Sequence, residues 1–222
     1  MMIGLNDGLC QKNSDKIKVE IGTGTAYTIS QKKAEKALAK LSKTAENEDS
    51  WVYYKGQLID DGKNENSETV TMHFPLIIKT DKGDTTRLQI SSGDTIITYH
   101  NHIRPSPPSI YDIVNHSILI DSIFKNNHVI SKVADNGKMW EFSLDDRLTR
   151  DLHGKNLKER FEILESKINI AYDPENKYKI GGYSPYPYHP KSSNKGYKEY
   201  ISIMKEAGVI AKYTKPKALF HK

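Results

Sequence analysis

The sequence predicts an α/β (α+β) domain, and three observations carry that expectation. Short aromatic and β-branched runs alternate in polarity, as half-buried strands do. Between them lie stretches with apolar residues at helical spacing, each preceded by a capping residue or a turn. The length of 222 residues suits one domain of ordinary size with an appendage. Hydrophobic residues make up 36%, and exchanging the 13 Tyr for the 14 Gly leaves that share almost unchanged. Average domains reach roughly 45–50%. The core is therefore lean and the surface rich in lysine.

The elements follow in order. KIKVEIG (16–22) alternates as a short strand, and the GTGT that follows reads as a flexible turn. Ser30 caps a helix through QKKAEKALAKLSKT, with Ala34, Ala37, Leu38 and Leu41 on one side. SWVYYKGQLID (50–60) is a strand pair turning at Lys55-Gly56, DGKNENSE (61–68) is a polar loop, and ETVTMHFPLIIKT (68–80) is a strand ended by the turn signal Asp81-Lys82-Gly83-Asp84. RLQI (87–90) is too short to place. DTIITYHNH (94–102) is a strand that runs into the proline-rich IRPSPPS. Ser109 then opens a helix, IYDIVNHSILIDSIF, with Asp112 at its third position, where the helix dipole favours an acid. HVISKVADNGKMWEFSL (128–144) is two strands joined by Asp-Asn-Gly. A helix of mixed charge covers 145–170, and a last short helix lies near KEYISIMKEAGVI. This divides the chain into a loose lead-in (1–15), a domain (16–170) and a Gly/Pro/Tyr-rich C-terminal extension (171–222) that stands outside the main fold.

Composition excludes several classes. No run of about 18 apolar residues exists, so no membrane span is expected. The N-terminus lacks a basic stretch followed by a long apolar one, so no secretory signal is expected. A single cysteine, Cys10, forbids an intramolecular disulfide and a thiolate cluster, and suits a reducing, cytoplasmic setting. The net charge is +5, but lysines alternate with acids, as in NLKERFEILESK, so nucleic acid is not the favoured partner.

The informative segment is TYHNHIRPSPPSIYDI. His100 and His102 lie two apart at a strand end, so both side chains leave the same face. Six residues separate His102 from Ser109, and Asp112 sits in the first turn of the next helix. A strand end and a helix start converge across so short a loop. Two imidazoles and one carboxylate then form a three-ligand zinc site with a fourth position open for water, the mark of a catalytic centre.

His-x-His, a loop and Ser-x-x-Asp together resemble the motif of the JAB/MPN/Mov34 metalloenzymes (JAMM), shared by zinc isopeptidases and bacterial RadC-like proteins. Ile103 stands where the commonest form has Pro, and the six-residue gap resembles a short-loop bacterial and phage-borne subgroup. VADNGKMWEF resembles the hairpin that follows the motif there, and the likeness covers about residues 46–144. It implies a JAMM-like mixed β-sheet flanked by helices, Zn2+ held by His100, His102 and Asp112, and Ser109 stabilising the oxyanion. It also implies a protein or peptide substrate, whose amide or isopeptide bond a metal-activated water cleaves. A glutamate upstream acts as general base. Glu48, before WVYYKGQLI, is the choice, and Glu68 and Glu46 stay open behind it. The rival expectation is a non-catalytic module of this fold that binds a protein or nucleic acid. A nuclease-type metal site is a third, resting only on the string His-Asn-His.

Other signals are set aside. Gly22-Thr23-Gly24 lacks the further Gly or Gly-Lys-Ser/Thr of a phosphate loop. His73 reads as a core residue on a strand, and His116 as a residue of the helix surface. Cys10 has no base near it, and the Tyr183–Tyr188 stretch reads as chain extended over the domain.

Overall fold

A computed structural model of the chain describes residues 18–60, 71–79, 85–103, 106–172 and 194–214. Among these residues, nine strands form one mixed sheet in the order β5-β4-β1-β3-β2-β6-β7-β8-β9, with five α-helices around it. The strands are β1 (Lys18–Thr28), β2 (Ser50–Tyr54), β3 (Gln57–Asp60), β4 (Thr71–Lys79), β5 (Thr85–Arg87), β6 (Thr95–Asn101), β7 (His128–Asp135), β8 (Lys138–Leu144) and β9 (Val209–Thr214). The helices are α1 (Gln31–Leu41), α2 (Ile110–Ile118), α3 (Asp146–Leu152), α4 (Leu157–Tyr172) and α5 (Asn194–Glu206). The expected α+β class holds. Among the described residues, no helix is long and apolar enough to cross a membrane.

The sheet is antiparallel except where β1 meets β4 and β6 meets β7. The second exception matters for the site. A parallel pair needs a crossover, and α2 supplies it as a βαβ unit over 95–135. α2 therefore starts at the carboxyl end of β6, where the histidines are. Alternation sorts the core by face. Ala34, Leu38 and Ala39 of α1 pack on Trp51, Leu58, Ile97, Tyr99, Ala134 and Met139. The opposite face buries Ile110, Ile113 and Val114 of α2 with Val133, Trp140 and Phe142, and its lower part gathers Val52, Leu76, Ile96, Leu119 and Phe124.

Several expectations are corrected. The GTGT after the first strand is no turn: β1 runs on to Thr28, with a bulge between Gly22 and Thr23 that the glycine accommodates. The helix expected over 145–170 is two helices, broken where Gly154 takes φ +67°. The helix from Ser109 continues past Ile118 only as a π-helical turn, Leu119–Ile123.

The largest correction concerns 171–222. α5 and β9 belong to the main fold, because β9 pairs with β8 from Leu144↔Val209 to Met139↔Thr214. Tyr197, Tyr200, Ile203 and Met204 are buried in the core with α2 and α4. The apolar spacing of YKEYISIM was visible, but a Gly/Pro/Tyr-rich approach segment masked its importance. The loop at 61–68, the turn at 81–84, the lead-in at 1–15, His73's side chain and the Tyr183–Tyr188 stretch lie outside the described residues.

Candidate metal centre

The end of β6 is held from both sides. Ser50↔His100 is an antiparallel pair with β2, and His100↔Val133 and Asn101↔Ala134 are parallel pairs with β7. His102 lies one residue past the strand, yet its N–H still donates to the Ala134 carbonyl at 3.0 Å. Asn101, on the opposite face, clamps the incoming chain: its Nδ2 donates to Asn47 O at 2.8 Å and its Oδ1 accepts from Asp49 N at 2.7 Å. Asn101 N donates in turn to Asp49 O at 3.2 Å. Residues 47–49 are thereby tied beside the two histidines.

The helix start brings the carboxylate. Ser109 is extended (φ −82°, ψ 167°) and forms a capping box with Asp112. Asp112 N donates to Ser109 Oγ at 3.1 Å, and Ser109 N donates to Asp112 Oδ2 at 2.5 Å. That second bond fixes the carboxylate and turns Oδ1 toward His100 Nε2, 3.1 Å away. Oδ2 lies 3.4 Å from His102 Nε2, and the two Nε2 atoms are 3.3 Å apart. Bonds of about 2.0–2.1 Å to a tetrahedral zinc ion imply donor separations of roughly 3.3 Å. The donors fit. His102 Nδ1 faces Ser106 O at 3.1 Å and Ser106 Oγ at 2.7 Å. A proton on Nδ1 directed at that carbonyl leaves the Nε2 lone pair for a cation.

All three residues are buried, at 7%, 7% and 8% exposure for His100, His102 and Asp112. Burial opposes charge on His102 and Asp112, but the attraction between them outweighs it. His102 loses basicity to burial and regains more from the bond to Asp112 and its charge, with Glu48 and the Ser106 carbonyl adding to the effect, so its pKa stands at about 9. Burial likewise works to raise the Asp112 carboxyl, yet the two imidazoles hold it well below the usual carboxylate range. The Asp112 carboxylate therefore draws positive charge toward the two imidazoles. Two imidazoles and a carboxylate suit Zn2+ and its first-row neighbours.

The structure thus gathers His100, His102 and Asp112 as the sequence predicts. Ser109 is at their edge, its hydroxyl oxygen already accepting from Asp112 N. Glu48 is exposed, and continuing the Ser50↔His100 register by two residues puts it on the histidine-bearing face. Its charge acts on His102. Glu46 is exposed. Glu68 lies outside the described residues.

Other participants escaped the sequence reading. Ser106 carried no signal beyond its loop. Asn101, between the histidines, was visible only as part of the strand end. Asp135 read as a turn residue, but the parallel register carries it beside His102 on the same face. Its Oδ2 accepts from Trp140 Nε1 and Tyr213 OH, each at 3.2 Å, and burial raises its pKa against the pull of those bonds. His116, expected on the helix surface, is 1% exposed. It lies over β7, bonded through Nδ1 to Ser131 Oγ at 2.7 Å, because the helix face that aims Asp112 at the sheet carries residue i+4 there too. Among the described residues, Asn115 Nδ2 and Oδ1, His116 Nε2 and Asp135 Oδ1 are buried without a hydrogen-bond partner.

In comparisons with family models, curated proteins and solved structures, nothing matches this chain.

Proposed function

We propose that the protein is a zinc-dependent hydrolase of the JAMM type that cleaves an amide or isopeptide bond in a protein or peptide substrate. The supporting observation is the convergence of His100, His102 and Asp112 at zinc-like separations, with Ser109 built into the same capping box. These three side chains would hold the ion. Zinc bound there supplies a Lewis acid for the carbonyl and an acidified water near neutral pH.

The chain's own residues do the rest. Glu48 takes a proton from the attacking water and delivers it to the nitrogen of the leaving amine as the C–N bond breaks. Ser109 Oγ spends a lone pair on Asp112 N, so its own proton remains to donate to the carbonyl oxygen as negative charge builds there. The amino end of α2, aimed at the same place, favours that charge. Asn101 keeps Glu48 in reach by tying down its neighbours Asn47 and Asp49.

The test is metal analysis of the purified chain, with turnover of a fluorogenic lysine-isopeptide probe and a peptide amide. The expected result is about one zinc per chain and zinc-dependent turnover. Glu48→Gln should lose at least about 100-fold in kcat with zinc content unchanged. Absence of bound zinc overturns the proposal. Stoichiometric zinc with no turnover of either probe supports the binding-module alternative, and full turnover by Glu48→Gln removes that residue from the mechanism.

A further inference from the structure

The segment between the second histidine and the aspartate is rich in proline. Pro105, Pro107 and Pro108 contribute no backbone N–H. Yet Ser109, at its end, sets both the hydroxyl and the capping bond that aims Asp112. Among the described residues, two ties hold it. One is Ser106 on His102. The other comes from 92 residues away: Tyr200 OH on α5 donates to Pro108 O at 2.6 Å, inside the core. That carbonyl is not part of the α2 ladder, which begins with Ile113 N on Ser109 O.

Tyr200 is itself well anchored. It is 7% exposed, and its ring meets Trp140 edge-on at 5.3 Å. Trp140 packs on Tyr197 and Tyr213 and donates Nε1 to Asp135, beside His102. The aromatic cluster of α5, β8 and β9 thus grips both the proline loop and the end of β7, which flank the metal centre.

We propose that Tyr200 is a positioning residue of the metal centre: by holding Pro108, it fixes Ser109 and so aims the Asp112 carboxylate at His100 and His102. This rests on the metal-site reading above, and it makes the C-terminal unit 194–214 a working part of that site. Losing the hydroxyl leaves a buried carbonyl unpartnered and frees the residue before the helix cap. Outer partners of metal ligands commonly change affinity by about 10–100-fold, and a tie acting through Pro108 and Ser109 belongs at the lower end, roughly 10-fold.

The experiment compares full-length wild type, Tyr200→Phe and Tyr197→Phe. Tyr197 packs on the same Trp140 and serves as the control for a purely structural effect. Zinc affinity is measured by calorimetric titration with the metal alone. Hydrogen exchange of the Ser109–Asp112 amides is measured on metal-free protein. Tyr200→Phe should bind zinc roughly 10-fold more weakly and exchange those amides faster, with Tyr197→Phe close to wild type on both counts. Equal affinity and exchange in Tyr200→Phe and wild type would overturn the proposal, as would equal losses in both variants. If wild type itself binds no zinc, the metal reading falls and this role falls with it. Zinc binding by wild type with an unaffected Tyr200→Phe sinks the positioning role alone.

Discussion

Two clusters of histidine and aspartate lie at opposite ends of the helical stretch from Ile110 to Ile123, and they are finished differently. At the carboxyl end, Asp121 receives His153 Nδ1 at 2.9 Å, Gly154 N at 3.2 Å and the guanidinium of Arg160. Arg160 is spent in turn on Ser117 Oγ and Lys155 O, each at 2.8 Å. Every charge there has a permanent counter-charge, and the His153 side chain is 73% exposed. At the amino end, the titratable partners of Asp112 among the described residues are two imidazoles, and their side chains are 9% and 8% exposed. The same residue types therefore make a structural joint in one place and a candidate site in the other. Buried donors converging without a fixed cation mark the difference, whereas residue identity does not.

The largest expected effect comes from breaking the amino-end cluster. His100→Ala should weaken zinc binding by at least about 1,000-fold, roughly 4 kcal/mol, while the circular dichroism spectrum stays native. His153→Ala should leave zinc binding unchanged in the same titration. An equal loss in both would erase the distinction.

Breaking the carboxyl-end joint should cost stability without cost to metal binding. Arg160→Met leaves Asp121 short of its cation and Ser117 without its donor. The pair is only partly buried on the aspartate side, so roughly 2–3 kcal/mol is expected in urea unfolding, below the full range for buried pairs. Zinc affinity should match wild type.

His116 sharpens the contrast through pH, because it sits one turn from Asp112 with no carboxylate of its own. Burial lowers its pKa to about 4 from an ordinary value of 6.5. The unfolded chain therefore takes up this proton first as pH falls. Stability from this group is complete above pH 6.5, declines below it and levels off under about pH 4. The loss should be roughly 2 kcal/mol by pH 5, and His116→Asn should flatten that part of a urea-midpoint profile. An unchanged slope in the variant would assign the acid sensitivity elsewhere.

The smallest effect is expected at the exposed imidazole. His153→Ala should change stability by less than about 1 kcal/mol, since an exposed partner of a carboxylate is well screened.

Legibility followed range along the chain. His100, His102 and Asp112 were readable because a strand end, a short loop and a helix cap settle their geometry locally. The Lys55-Gly56 and Asn136-Gly137 turns were readable for the same reason, and all four residues take positive φ. Glu48 was one of three open candidates, because its placement depends on which strand pairs with β6. Asp135 and Tyr200 were illegible as site neighbours, since the β6–β7 register and the docking of α5 are not encoded near either residue. The GTGT segment misled because glycine serves bulges as well as turns.

The three donors fall within residues 100–112, inside a single strand–loop–helix segment. Closing so short a loop costs little chain entropy compared with bringing β9 to β8 or β1 to β4. On the proposed metal-site reading, a cation would gather its ligands while distant strands are still apart, and its binding energy would become folding energy for β6 and α2. Zinc in the refolding buffer would then act as a template, seeding the sheet from its middle.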